Sequence, residues 1–178
     1  MILIGLTGRA GVGKDTIADY LVAEYHFAKY AFAQPIKDML RVLGVDADAR
    51  EGKEQPHPIY GASPRRMAQT LGTEWGRRLI HRDIWLNAAA RFVAQHHSDP
   101  EIDGIVLSDV RFENEAAWVR AQGGEVWHVT REVNLVEGHM SEAGVQFVPG
   151  DSVVQNRLTK AELYDQIEQI CRFCLTKA

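Results

Sequence analysis

The feature that most constrains this chain is a glycine-rich turn between an apolar strand and a helix near the N-terminus. Residues 1–7 form a nearly continuous apolar run, which is typical of a short strand buried on both faces. From Thr16 onward, apolar residues such as Ile17 and Leu21 recur with helical spacing. The turn between them, residues 8–16, reads G-R-A-G-V-G-K-D-T and fits the pattern G-x-x-x-x-G-K. This order predicts a phosphate-binding loop at the start of an α/β fold.

Every residue of this turn is a candidate contact for the phosphates of a bound nucleotide. Small residues let backbone N–H groups turn inward, and the N-terminus of the following helix adds positive partial charge. Lys14 supplies a mobile cation for the β- and γ-phosphates, so it is also a candidate catalytic residue. The candidate nucleotide contacts are Gly8, Arg9, Ala10, Gly11, Val12, Gly13, Lys14, Asp15 and Thr16.

The residue after the lysine departs from the commonest form of this motif. That position usually holds Ser or Thr, whose hydroxyl ligates Mg²⁺, but here it is Asp15, and the hydroxyl comes at Thr16. Either Asp15 reaches the metal through water, as a catalytic residue, or ATP oxygens and solvent supply most of the ligands. Thr16 is then better placed for the α-phosphate. No N-K-x-D motif for reading guanine occurs in the chain, which argues against a GTPase.

The rest of the chain alternates helices with apolar strands, which predicts a parallel sheet with right-handed crossovers. Further strands are predicted at residues 27–33, 102–108, 125–130 and 146–154. Helices are predicted from Pro35 to Gly44, from Ser63 toward Leu79, after Asp83, over 112–122 and over 159–175. Residues 46–62 contain two prolines and little periodicity, so they are predicted to be an exposed, mobile loop.

The strand predicted at 102–108 is followed directly by Asp109, Val110 and Arg111. The carboxyl end of such a strand lies at the ligand-binding edge of a parallel sheet, beside the first loop. Asp109 resembles a Walker B aspartate and is the candidate metal residue, through a bound water, or a group that steers the lysine. Arg111 is a candidate to bind the transferring phosphoryl group. Alternatively, Asp109 caps the helix that begins near Phe112.

A locally basic segment interrupts a chain whose formal net charge is -4 at pH 7. Residues 61–91 contain six arginines and two acids, a local charge of +4, which suits a compact anion such as a phosphate ester. Four polar residues spaced by four form a stripe on the predicted helix. They are Arg65, Gln69, Thr73 and Arg77. Such a stripe can grip an acceptor phosphate and read a base edge, although a solvated helix face is the alternative. Trp75 lies off the stripe, where it can pack, and joins Lys37 as a further candidate acceptor contact.

Length and composition narrow the class of protein. The chain has 178 residues, 46% of them hydrophobic, which predicts one domain with an inserted substrate-binding lobe. The net charge argues against a nucleic acid polymer as partner. No apolar run approaches the roughly 20 residues of a membrane span, and the opening residues do not form a signal peptide. A cytoplasmic protein is expected, in the host cytosol if the source is viral. Cys171 and Cys174 are predicted to be reduced thiols.

Taken together, these motifs resemble those of the bacteriophage-type deoxynucleoside monophosphate kinases, within the nucleoside monophosphate kinase group. The matching stretches, in family order, are G-R-A-G-V-G-K-D-T, F-A-Q-P-I-K, S-P-R-R-M-A-Q-T-L-G-T-E-W-G-R, D-I-W, D-V-R-F-E-N-E-A and H-M-S-E. They extend from Gly8 to Glu142, and the region of Asn156 with its trailing helix resembles the end of the family. The combination is specific even where single motifs are not.

The resemblance implies a single domain over 1–178 with the three-layer fold of P-loop kinases. Its parallel sheet would have five strands in the order 2-3-1-4-5, an acceptor-binding lobe at 34–100 and a short lid at 131–145. It also implies ATP as phosphoryl donor, Mg²⁺ as cofactor and a homodimer. Arg131 and Asn156 would contact the donor nucleotide. His139, Ser141 and Glu142 would belong to the lid.

Residues and resemblance together predict in-line transfer of the γ-phosphoryl group of ATP to a (deoxy)nucleoside 5′-monophosphate. Three alternatives stay open. The first is a kinase of the same fold for another phosphorylated metabolite, such as phosphomevalonate or dephospho-coenzyme A. The second is a nucleotide-binding regulatory module without turnover. The third, a kinase for nucleic acid ends, is disfavoured by the net charge.

Overall fold

The alternation of short apolar strands and helices along the sequence is reproduced in the computed structural model, which describes residues 1–48, 51–131, 145–157 and 159–175. The strands are β1 Ile2–Thr7, β2 Phe27–Tyr30, β3 Gly104–Leu107, β4 Glu125–Thr130 and β5 Ser152–Gln155. The α-helices are α1 Lys14–Tyr25, α2 Gln34–Val42, α3 Pro64–Gln69, α4 Ile84–His96, α5 Glu113–Ala121 and α6 Lys160–Leu175. A π-helix, Thr70–Ile80, directly continues α3. Within the described ranges, no helix is long and apolar enough to span a bilayer.

The five strands form one parallel sheet in the order β2-β3-β1-β4-β5. Its central strand is β1, where Gly5 lies opposite Leu107 of β3 and Val126 of β4. Both the fold class and the strand order that the resemblance implied are thereby confirmed. The carboxyl ends of β1, β3 and β4 meet at one edge, which is where ligands bind in open α/β sheets.

Helices cover both faces of this sheet because its strands are apolar on both sides. On one face, α1 and α6 share a buried cluster with the strands, built from residues such as Ile17, Leu6, Trp127 and Ile167. On the other face, α5 packs so closely that a Cβ at Gly5 would lie 3.3 Å from Val119. The sheet and its two helical layers give the edge at the phosphate loop a rigid support.

The chain divides into two compact units. The first consists of Met1–Ala31 and Phe92–Ala178 and contains the whole sheet. The second, Phe32–Arg91, has its own buried cluster. That cluster contains Ile36, Leu40, Val45 and Trp85, with Met67 and Leu71 among the side chains packed against it. The acceptor lobe expected at 34–100 overlaps this unit, and its role stays a prediction.

Three predicted elements differ from those found. The strand predicted at 27–33 ends at Tyr30, because the chain already turns into the helix that holds Pro35 in its first turn. The strand predicted at 146–154 begins only at Ser152, because Asp151 closes a turn before it. The Asp151 N–H donates to the carbonyl of Val148, and the Asp151 carboxylate accepts from the N–H of Val148. The helix predicted from Ser63 toward Leu79 is α-helical only as far as Gln69 and is a π-helix from Thr70.

Candidate active site

The glycine-rich turn follows β1 directly and leads into α1, whose N-cap is Gly13. Gly8 and Gly13 have φ angles of 139° and 106°, which side chains rarely adopt. A Cβ at Gly8 would also overlap the backbone carbonyl of Val129 in β4. Glycine is therefore required at both positions by the local backbone, and at Gly8 also by the neighbouring strand β4.

Asn156 lies against this turn from the end of β5. Its backbone N–H donates to the carbonyl of Thr130 at 2.7 Å, and its side-chain amide donates to the carbonyl of Val12 at 2.7 Å. A Cβ at Gly13 would overlap the same amide group. The residue expected from the resemblance to contact the nucleotide thus contacts the loop itself and supports its shape.

Lys14 lies across the turn that precedes it. Its ammonium donates to the carbonyls of Gly8 at 2.7 Å and Arg9 at 2.9 Å. Burial and the Arg111 guanidinium lower the pKa of the Lys14 ammonium, whereas the carboxylates of Asp15 and Asp109 oppose that shift. All four predicted catalytic residues therefore belong to one electrostatic environment at the carboxyl edge of the sheet.

Residues 108–111 follow β3, which lies between β2 and β1 in the sheet. The N–H of Ser108 donates to Tyr30 at 2.9 Å, and the N–H of Val110 donates to Leu6 at 3.0 Å. These bonds extend the pairing with β2 and β1 beyond Leu107, and they fix the backbone on both sides of Asp109. The position of Asp109 at this edge thus follows from the strand that carries it.

The helix after this segment is not capped by Asp109, so that alternative is wrong. Its N-cap is Phe112, and the buried carboxylate of Glu115 accepts from the N–H groups of Arg111 at 2.9 Å and Phe112 at 3.2 Å. Sequence reasoning missed Glu115 because the usual capping box begins with Ser, Thr, Asp or Asn. The one available signal in the sequence was a Glu at the third position of the helix. Asp109 is therefore not the N-cap of this helix.

Lys29 is a second residue that the sequence analysis missed. Its ammonium lies 3.2 Å from a carboxylate oxygen of Asp15 and 2.9 Å from one of Asp19, one helical turn further on. Burial would lower the pKa of Lys29, but the two carboxylates outweigh burial and raise it. The available signal was the pair of acids spaced by four at the start of α1. The carboxylate predicted to act near the metal is therefore already in an ion pair.

In the second unit, two of the predicted acceptor contacts are paired with acids. Arg65 forms an ion pair with Glu54 at 2.6 Å, and Lys37 forms one with Asp48 at 2.7 Å. Both pairs are partly exposed, and such pairs contribute less than about 1 kcal/mol. A phosphate that offers several oxygens can therefore compete with these carboxylates for the cations.

The remaining acceptor candidates lie at or beyond the change in helix type. Gln69 is exposed at the end of α3, whereas Thr73 and Arg77 are half-buried in the π-helix. Arg77 donates to the backbone carbonyl of Gly72 at 3.3 Å. Trp75 is 36% exposed, with its ring 6.3 Å from that of Trp85. The stripe therefore does not continue along a single α-helix.

The predicted lid lies largely outside the described residues. Arg131 is exposed directly after β4, but His139, Ser141 and Glu142 fall in the undescribed stretch 132–144. Cys171 is a free, buried thiol, and burial raises its pKa to about 12, so it stays protonated. Among the residues that the structure describes, no three or more His, Cys, Asp or Glu side chains form a group that could hold a metal.

Comparison with known proteins decides the family. A model of the deoxynucleotide monophosphate kinase family matches residues 2–57 and 59–167. The chain belongs to the deoxynucleotide monophosphate kinase family. It is accordingly a kinase, and the resemblance carried by its motifs is confirmed.

Individual relatives of this kinase agree with the family. A protein of Acanthamoeba polyphaga mimivirus, provisionally named a deoxynucleotide monophosphate kinase, is 31% identical over 182 residues that cover 94% of each chain. The deoxynucleotide monophosphate kinase of Escherichia phage RB69 is 27% identical over 246 residues, covering 97% of this chain and 100% of the relative. A crystal structure of an unliganded sugar kinase from Janibacter sp. HTCC2649 covers 93% of this chain and 91% of its own, with a TM-score of 0.52. At 13% identity, that likeness shows the fold alone.

Proposed function

We propose that this kinase transfers the γ-phosphoryl group of ATP to a (deoxy)nucleoside 5′-monophosphate by direct in-line displacement. An oxygen of the acceptor phosphate bonds to the γ-phosphorus as the bond to the β–γ bridging oxygen breaks, which yields ADP and a nucleoside diphosphate. The observation that carries the proposal is the shared environment of Lys14, Asp109 and Arg111 beside the glycine-rich turn. No general base is required, because the acceptor phosphate is already ionised at neutral pH.

The proposed roles of the donor-site residues follow from their charge and position. The N–H groups of residues 8–16 would bind the ATP phosphates, with Arg131 and Asn156 nearby at the ends of β4 and β5. Lys14 and Arg111 would neutralise charge on the transferring group. This matters because phosphoryl transfer leaves little covalent chemistry to the protein beyond positioning and electrostatic stabilisation.

Carboxylates at this edge of the sheet fit a magnesium ion. Mg²⁺ takes oxygen ligands and is usually held by one or two carboxylates together with substrate phosphates and waters. Asp109, which is half-buried and lies two residues after the end of β3, would hold it, and Asp15 would contribute through water. Bound Mg²⁺ supplies charge neutralisation on the phosphate oxygens.

The acceptor would bind to the inserted segment 34–100, with residues 131–145 as a lid. The support is the local charge of +4 and the residue types at Arg65, Gln69, Thr73 and Arg77. Guanidinium groups bind phosphate oxygens in pairs, and an amide and a hydroxyl can read a base edge. Lys37 and Trp75 would complete these contacts, with Trp75 offering an exposed ring for stacking.

The experiment that tests the proposal measures ATP consumption against the full set of ribo- and deoxynucleoside monophosphates, with phosphomevalonate and dephospho-coenzyme A as rival acceptors. We expect multiple turnovers with one or more deoxynucleoside monophosphates and no turnover with the rivals. Preference for a rival acceptor would identify a different kinase of the same fold. ATP binding without turnover on any acceptor would favour a regulatory module and contradict the proposal.

A further inference from the structure

The π-helix is the least expected element of the second unit. It has 11 residues, Thr70–Ile80, whereas π-helical segments are mostly single turns inserted in α-helices, frequently at functional sites. It carries two candidate acceptor contacts, Thr73 and Arg77. A long stretch of this rare conformation requires interactions that an α-helix would not make.

Trp85, in the motif D-I-W, supplies such an interaction. Its side chain is buried, with 3% exposed, and its indole N–H donates to the backbone carbonyl of Gly72 at 2.7 Å. The ring lies against Gly76, where a Cβ would come within 2.5 Å of the indole. Trp85 therefore contacts two glycines that are four residues apart on one side of the π-helix.

The carbonyl of Gly72 connects the indole to an acceptor candidate. In a π-helix a carbonyl bonds to the N–H five residues later, which for Gly72 is that of Arg77. The guanidinium of Arg77 also donates to this carbonyl at 3.3 Å. The Trp85 indole thus donates to the same carbonyl that holds both the backbone and the guanidinium of Arg77.

We propose that Trp85 is a positioning residue that holds the π-helix and so directs Thr73 and Arg77 toward the acceptor nucleotide. The proposal rests on the proposed function for the identity of that ligand. Thr73 and Arg77 are four residues apart. In an α-helix, that separation rotates a side chain about the helix axis by one full turn plus about 40°, whereas in the wider π-helix the rotation is less than one full turn. Without the indole, the segment returns to α-helical pairing, and both side chains change direction.

Trp85→Phe tests the inference with a matched control elsewhere in the chain. The variant keeps an aromatic ring against Gly76 but removes the donor to Gly72. Trp127→Phe is the control, because Trp127 is also buried, lies in β4, and its indole N–H has no hydrogen-bond partner among the described residues. Steady-state kinetics would give the KM for the acceptor, the KM for ATP and kcat. Amide hydrogen exchange would follow residues 70–80.

For Trp85→Phe we expect the acceptor KM to rise about three- to tenfold, as expected for one lost buried hydrogen bond, with the ATP KM unchanged. Exchange in residues 70–80 should become faster. Trp127→Phe should change neither the acceptor KM nor the exchange in residues 70–80. Equal increases in both KM values, an unchanged acceptor KM, or a Trp85→Phe chain that does not fold would each overturn the inference, because the indole would then have a general structural role or none.

Gly76→Ala provides an independent variant that leaves the indole N–H in place. Its Cβ would displace the ring from the π-helix, so the acceptor KM should again rise while the ATP KM does not. No change in the acceptor KM of this variant would count against the inference. If the wild-type kinase phosphorylates no nucleoside monophosphate, the proposed function fails. The exchange comparison still tests the π-helix, because unchanged exchange in Trp85→Phe would overturn its dependence on Trp85.

Discussion

The phosphate loop and the π-helix both place glycines against close neighbours, but for different reasons. In the loop, Gly8 and Gly13 have positive φ angles, so the backbone itself requires glycine. In the π-helix, Gly72 and Gly76 have no positive φ, and their space is taken by side chains, including the indole of Trp85. The loop therefore requires glycine for its backbone conformation as well as for its close neighbours, whereas the π-helix requires glycine for its contact with side chains.

The two regions also differ in the partners of their cations. Lys14 donates to backbone carbonyls of its own loop, which carry no net charge. Lys37 and Arg65 in the second unit are paired with carboxylates at the surface. Phosphate binding should therefore depend most strongly on Lys14, and less on any single cation of the second unit, where one ion pair is exchanged for another.

The largest expected effect is on catalysis by Lys14→Ala. Removing one charge that stabilises the transition state typically lowers kcat about a hundred- to a thousandfold. We expect kcat/KM to fall by at least this factor while thermal unfolding remains near that of the wild type. Lys160→Ala, at the exposed first residue of α6, is the control and should retain normal turnover. Normal turnover of Lys14→Ala would refute the proposed donor site.

The next largest effect concerns a buried ion network in the unit that carries the phosphate loop. The Asp151 side chain is 1% exposed and accepts from Arg120 at 2.8 Å and from His128 at 3.0 Å. Breaking a buried pair from one side costs about 3 to 5 kcal/mol, so Asp151→Asn should lower the free energy of unfolding by about 3 kcal/mol. Urea unfolding at neutral pH measures this free energy of unfolding, and Asp165→Asn at the exposed face of α6 is the control.

The same network predicts a loss of stability in acid. Burial would raise the pKa of Asp151, but hydrogen bonds from Arg120, the Val148 N–H and His128 outweigh it and lower the pKa. Burial lowers the pKa of His128, against an opposing effect of Asp151. Both groups bind fewer protons when folded, so stability should fall as the pH drops below about 6.5, the ordinary pKa of histidine, and further as Asp151 protonates. A flat profile between about pH 8 and pH 5 would contradict this.

A smaller effect separates the two requirements for glycine in the loop, which are a positive φ angle and the lack of space for a Cβ. Gly11 and Gly13 both have positive φ, but a Cβ at Gly11 meets nothing within 4 Å, whereas one at Gly13 overlaps Asn156. We expect Gly13→Ala to be less stable than Gly11→Ala by about 1–3 kcal/mol. Adding Asn156→Ala to Gly13→Ala should recover most of that difference in thermal unfolding. If the two single variants were equally stable, the contact with Asn156 would not require glycine at position 13.

Much of the fold could be predicted because its signals are local. The apolar strand before Gly8, the spacing of Lys14 and the Asp109 segment after β3 each predict an element or its edge from adjacent residues. The strand order came from the resemblance of the whole motif set. Elements whose neighbours agree with their own propensity are the ones that sequence patterns predict well.

The failures share a different physical cause. The change of helix type at Thr70 depends on the indole of Trp85, 13 residues after Gly72, and spacing by four cannot reveal it. The ends of β2 and β5 depend on turns closed by a helix start and by the side chain of Asp151. Ion pairs such as that of Lys29 with Asp15 join different elements. Such contacts appear only once the chain has folded.

The smallest expected effect tests whether the loop lysine acts alone or with a neighbouring cation. Lys29 pairs with Asp15 and Asp19, so Lys29→Met would leave two carboxylates without that partner at the start of α1. Their repulsion of the ATP phosphates should raise the ATP KM about two- to fivefold, since a partly exposed pair contributes less than about 1 kcal/mol. Adding Asp19→Asn should restore part of the loss in the same assay, and high salt should reduce it. An ATP KM that stays unchanged would mean that ATP binding at the loop does not depend on Lys29, which would sharpen the contrast with a π-helix that depends on Trp85.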